Sequence, residues 1–69
     1  MQDTLYKVTG GGFYRYTINK RTGRSAWRRN DQPLKRTERD TFTKQEADEI
    51  VARNNTAFIK MSNVTIMEI

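Results

Sequence analysis

The chain has 69 residues, with one proline, no cysteine and no histidine, and its 13 Lys/Arg stand against 8 Asp/Glu for a formal net charge of +5. Without thiols or imidazoles, the common zinc sites, cysteine nucleophiles and histidine acid/base arrangements are excluded, and most enzyme classes go with them. This length predicts a single domain, near the lower limit for a core without disulfides or metals.

The missing cysteines suit a reducing compartment. No leader pattern is visible, and no apolar run approaches the ~20 residues that a bilayer requires. The expectation is therefore a soluble, cytoplasmic chain with no membrane partner and no cofactor.

Leu5 to Thr9 alternates and reads as a short strand, closed by Gly10, Gly11 and Gly12, which permit a tight reversal. A phosphate cradle is the weaker reading of these glycines, because no helix start follows them. From Phe13 the period is 2. The segment Asn19-Lys20-Arg21-Thr22-Gly23-Arg24 then supplies turn chemistry, Asn opening the turn and Gly taking its left-handed position. A four-residue loop pairs Asn19 with Arg24, Ile18 with Ser25, Tyr16 with Trp27 and Tyr14 with Arg29. One hairpin face then carries Tyr14, Tyr16, Ile18 and Trp27, and the other carries Arg15, Arg24 and Arg28. A slip of one residue would exchange the faces.

Residues 30–41 contain Pro33, Lys35, Arg36 and Arg39 without a clear period, which predicts an exposed basic loop. A helix is expected over 43–54. Thr43 and Glu46 form a capping box, Phe42 can staple onto Ala47, and Ala47, Ile50 and Val51 make a narrow apolar stripe. Lys44 with Asp48 and Glu49 with Arg53 are opposite charges at i,i+4. Ala57 to Met61 and Val64 to Ile69 are strand-like, as a hairpin across Ser62-Asn63 or one longer strand, with the carboxyl end packed within the chain or across a homodimer.

The predicted fold is α+β: a small antiparallel sheet in the order β-β-β-α-β or β-β-β-α-β-β, with one helix packed on one face. It divides into a sheet over 5–29, the basic loop 30–41, the helix 43–54 and a strand region 57–69.

Charge is distributed unevenly along this plan. Residues 1–42 hold ten Lys/Arg and four Asp/Glu, giving +6, whereas 43–69 hold three and four, giving −1. A basic surface of this kind attracts phosphate or an acidic protein. The expected function is non-enzymatic binding of DNA or RNA through the hairpin face and adjacent loop, by Arg15, Lys20, Arg21, Arg24, Arg28, Arg29, Lys35, Arg36 and Arg39. The rival expectation is an interaction module, of the inhibitor or adaptor kind that phages and mobile elements encode, facing an acidic protein as a monomer or homodimer. A magnesium-dependent nuclease drawing on Asp31, Glu38, Asp40, Glu46 and Glu49 is the weakest candidate, because no nucleophile and base can be assembled.

Tyr16 and Trp27 admit two readings, as core beneath the helix or as an exposed stacking or peptide-binding platform. Residues 16–27, Tyr-Thr-Ile-Asn-Lys-Arg-Thr-Gly-Arg-Ser-Ala-Trp, resemble the central hairpin of WW domains. In that family the residues matching Tyr16 and Trp27 form a groove for proline-rich peptides. The resemblance covers about a dozen residues; no Trp stands near the amino end, Asn30 replaces the usual Pro, Thr17 and Ile18 break the aromatic run, and a helix follows. Three antiparallel strands before one helix are also similar in architecture to the amino-terminal DNA-binding domains of some transposon integrases, which lay their sheet in the major groove.

Overall fold

The computed structural model describes residues 4–69. The chain forms strands β1 (Tyr6–Gly10), β2 (Tyr14–Asn19), β3 (Ser25–Arg29) and β4 (Glu38–Arg39), then helix α1 (Lys44–Thr56), then strand β5 (Thr65–Glu68). The sheet is antiparallel in the order β3-β2-β1-β5, with β4 added to β2. The fold is therefore α+β, one helix lying on one face of a small sheet.

The β2–β3 hairpin has the register set by its sequence: Tyr14 opposite Arg29, Tyr16 opposite Trp27 and Ile18 opposite Ser25. Its turn closes with Asn19 N–H on the Arg24 carbonyl at 2.7 Å, and Gly23 takes a φ of 74° that a Cβ would strain. At the other end of β1, a Cβ on Gly10 would collide with the Met61 side chain, so glycine lets the 57–63 segment close over the sheet.

β1 and β2 pair only at Thr9–Arg15 and Gly10–Tyr14, leaving the rest of both edges open. Residues 38–42 take up those edges. Glu38 and Arg39 pair with Asn19 and Ile18, and Phe42 exchanges two backbone hydrogen bonds with Tyr6 at 2.8 and 2.9 Å. That path carries the fully buried Phe42 ring into the core with Val8, Ala47 and Ile50. Burying one sheet face against one helix stripe removes these side chains from water, the main stabilisation open to so short a chain, while Phe13, Phe58, Ile59, Met67 and Ile69 stay exposed.

α1 begins as its residues dictate. The Thr43 hydroxyl accepts from Glu46 N–H at 3.2 Å, and the Glu46 carboxylate accepts from Thr43 N–H at 3.0 Å. Lys44 reaches Asp48 at 2.7 Å. The expected Glu49–Arg53 pair does not form; both side chains instead line a cleft between α1 and the hairpin. The helix runs two residues beyond Asn54, to Thr56.

Three further expectations are corrected. The 30–41 segment is exposed only as far as Arg36: Glu38 is 8% exposed and belongs to a strand. Ala57 to Met61 forms no strand, because Asn54 binds the Met61 backbone through both side-chain amide atoms and turns the segment away from any ladder. Only Thr65–Glu68 pairs, running beside β1. The carboxyl end, expected to be packed, is packed within the chain only through Ile66 against the core and held by Ile69 N–H on the Leu5 carbonyl, while the side chains of Met67 and Ile69 are exposed.

Candidate functional site

The two faces of the hairpin differ in what covers them. On the α1 side, Tyr16 meets Trp27 edge to face with ring centroids 5.2 Å apart, and Phe42 at 6.0 Å. Both rings are half-buried against the core cluster. Both rings therefore contribute to the core, with Tyr16 also forming part of the wall of a cleft between α1 and the hairpin.

The opposite face is crossed by residues 30–37, and Arg15 is the reason. Its guanidinium donates to the carbonyls of Arg29, Asn30 and Gln32 at 3.2, 3.1 and 2.6 Å, and the residue is only 8% exposed. Nε lies 3.4 Å from Asp40 Oδ2, close enough for Coulombic attraction but without hydrogen-bond alignment. Placing Arg15 on an exposed cationic face is therefore corrected: its charge is spent on pinning the loop.

The other sequence candidates separate into committed and uncommitted cations. Arg28 contacts the buried Glu38 at 3.2 Å, and Arg29 contacts Asp31 at 3.0 Å. Arg39 binds Glu46 at 2.7 Å, donates to the Thr41 carbonyl and sits 5.1 Å above the Phe42 ring. By contrast Lys20, Arg21, Arg24, Lys35 and Arg36 are all exposed, and none of these five has an ion-pair partner among the described residues.

These five converge. Lys20 N–H donates to the Thr37 carbonyl at 2.6 Å, and Asn19 pairs with Glu38, so the hairpin turn and the 35–37 segment lie side by side at one end of the sheet. The turn is held rigid from within. Asn19 Oδ1 accepts from the N–H groups of Arg21 and Thr22 at 2.8 and 3.2 Å, and Thr22 Oγ1 accepts from Arg24 N–H at 3.2 Å. Of the cations without an ion-pair partner among the described residues, these five share this end of the sheet, while Arg53 lies on α1 and Lys60 in the segment that follows it.

Beside the turn, on the face away from α1, an open depression of about 650 Å³ is lined by Thr17, Ala26, Arg24, Arg28 and Glu38 among others. Sequence reasoning missed it, because Glu38 carries no periodic signal and the loop path depends on backbone carbonyls. The α1 side is different. There the Arg39 guanidinium, and after it the Thr43 N–H, hold the Glu46 carboxyl down at about 2, from an ordinary 4.5. Glu46 and Glu49 therefore line the cleft between α1 and the hairpin with acid groups, beside Arg53.

The acids weighed for metal chemistry are dispersed by these ion pairs. Among the described residues no three acids cluster as a metal site would need, and no helix is long and apolar enough to cross a membrane. Comparison with protein-family models, curated proteins and solved structures finds no match to this chain.

Proposed function

We propose that this protein binds nucleic acid, without catalysis, through the phosphate backbone and by way of Lys20, Arg21, Arg24, Lys35 and Arg36. One observation carries the reading. Two basic segments about fifteen residues apart in sequence are joined by the Lys20–Thr37 hydrogen bond into one exposed patch of five cations that have no ion-pair partner among the described residues. Such a patch attracts polyanions and releases their counterions on contact. Arg28 supports it from the rim of the depression, whereas Arg15, Arg29 and Arg39 serve the fold.

The test is equilibrium binding to fluorescent nucleic acid at about 50 and 200 mM salt. Five phosphate contacts give a slope of log K against log salt near −4.5 on duplex DNA, so affinity falls roughly 500-fold across that range. Saturable binding with such a slope supports the reading. Absence of binding at the lower salt would overturn it and transfer the patch to an acidic protein surface.

A further inference from the structure

Resting on that reading, we infer that the ligand is double-stranded DNA, approached from the sheet face opposite α1, with the β2–β3 turn entering the major groove and one sugar-phosphate strand lying in the adjoining depression. Four observations lead there.

The first is the sign of charge on the two sides of the turn. Gly23 and Ser25 border the cleft that Glu46, Glu49 and Arg53 line, so a phosphate strand on that side would meet two carboxylates against one guanidinium. The depression on the other side is bordered by Arg24 and Arg28, with Lys35 and Arg36 on the segment that leads into Glu38. Electrostatics therefore favours one direction of approach.

Rigidity is the second. The turn is closed by Asn19 N–H on Arg24 O and Gly23 N–H on Asn19 O, and is tied to Thr37 from outside. The backbone that carries these cations is fixed in this way, which suits a ligand whose phosphates are themselves fixed, as in a duplex. A flexible strand gains little from such preorganisation.

Third, among the described residues no aromatic ring lines the depression. Tyr16 and Trp27 are half-buried on the other face, Tyr16 at the wall of the cleft beside α1 and Trp27 near Gly10. Binding of single strands draws on aromatic stacking for much of its energy, and the patch offers none.

The fourth is shape. β4 flanks β2 at Ile18 and Asn19, so the part of the hairpin beyond it is the turn of residues 20–23. A two-stranded turn of this kind fits the B-form major groove, about 12 Å wide, whereas the A-form major groove is deep and narrow. With the ribbon tip inserted, the strand beside it has a receiving concavity of about 650 Å³ next to the tip.

The experiment compares a DNA duplex of about 20 base pairs with the same sequence as an RNA duplex and as single-stranded DNA, by fluorescence anisotropy at about 100 mM salt. The DNA duplex is expected to bind at least about tenfold more tightly than either competitor. Equal or tighter binding of single-stranded DNA or of the RNA duplex overturns this inference while leaving the proposed function standing; no binding of any of the three removes the proposed function itself. Two exposed positions test the direction of approach. Ala26→Glu, which puts a carboxylate in the depression, is expected to weaken duplex binding roughly tenfold, and Glu49→Gln on the α1 side to change it less than about twofold. Circular dichroism confirms that both variants fold. The reverse ranking of the two overturns the assigned face.

Discussion

Arg15 and Asp40 meet on the sheet face away from α1, Nε 3.4 Å from Oδ2, while Lys7 approaches the same carboxylate oxygen at 3.5 Å. The two ends of the loop across that face are thereby fixed by one side chain, since the Arg15 Nη atoms hold residues 29, 30 and 32 by their carbonyls. Arg15→Ala leaves those three carbonyls without their donor and the Asp40 carboxylate with Lys7 alone. The expected cost is about 2–3 kcal/mol, a large share of a small domain's stability. Urea unfolding should show a lower midpoint, with nucleic-acid affinity per folded molecule nearly unchanged. Wild-type stability combined with lost binding would put Arg15 back among the phosphate contacts.

Cations that touch phosphate and cations that hold the fold are separable by salt dependence. Single replacement of Lys20, Arg21, Arg24, Lys35 or Arg36 by Ala should reduce the slope of log K against log salt by up to about 0.9 on duplex DNA. Arg29→Ala should leave the slope near its wild-type value, because that guanidinium already binds Asp31. Arg39→Ala should lower stability instead, since it removes the Glu46 pair and the contact over Phe42. Slopes that fell equally for all seven variants would mean a diffuse field rather than a defined patch.

What the sequence revealed follows the physical origin of each feature. The hairpin register follows the pairing expected from the alternation and the Asn-to-Gly turn, and the structure decides it against the one-residue slip that would exchange the faces. The helix start was legible because Thr43 and Glu46 satisfy each other's backbone. The path of residues 30–37 was not, as it is set by a guanidinium on backbone carbonyls, and carbonyls are the same at every residue. Likewise Ala57 to Met61 has strand-like composition, yet the Asn54 side chain takes the Met61 backbone before any strand can. The basic residues themselves were plain to see. Their convergence depends on the Lys20–Thr37 bond and the short pairing of β4 with β2, backbone contacts that no pattern of side chains encodes.

Acid pH should act on the helix start. The folded Glu46 carboxyl sits at about 2, against an ordinary 4.5. A depressed carboxyl contributes stability that is fully present above the unfolded value and is lost as pH falls through the folded one. Its side chain is 37% exposed, which limits that contribution to about 1 kcal/mol. Glu46→Gln is therefore expected to be less stable than wild type by about that amount at neutral pH, with the gap closing as pH falls from 4.5 towards 2. Thr43→Ala, which removes the reciprocal cap, should cost about 1 kcal/mol across the range. A gap for Glu46→Gln that stayed constant down to pH 2 would show that the carboxylate is not what Arg39 and Thr43 hold.

The other end of the helix rests on Asn54. Its Nδ2 donates to the Met61 carbonyl at 3.1 Å and its Oδ1 accepts from Met61 N–H at 2.9 Å, as a neighbouring strand would. Met61 in turn packs over Gly10, beside the Trp27 ring. Asn54→Ala leaves a partly buried donor and acceptor unmade, for an expected loss of about 1–2 kcal/mol. Asn54→Asp keeps the acceptor but loses the donor, and should fall between that variant and wild type. Hydrogen exchange at the Met61 amide is the direct readout, because the side-chain oxygen is its partner. It should accelerate strongly in Asn54→Ala, and more weakly at Gly11, whose N–H binds the adjacent Ser62 carbonyl at 2.6 Å. The cationic end lies at the far end of the sheet, so its salt slope should be unaffected. Unchanged exchange at Met61 would mean that the 57–63 segment is held by the Met61 side chain over Gly10 rather than by Asn54.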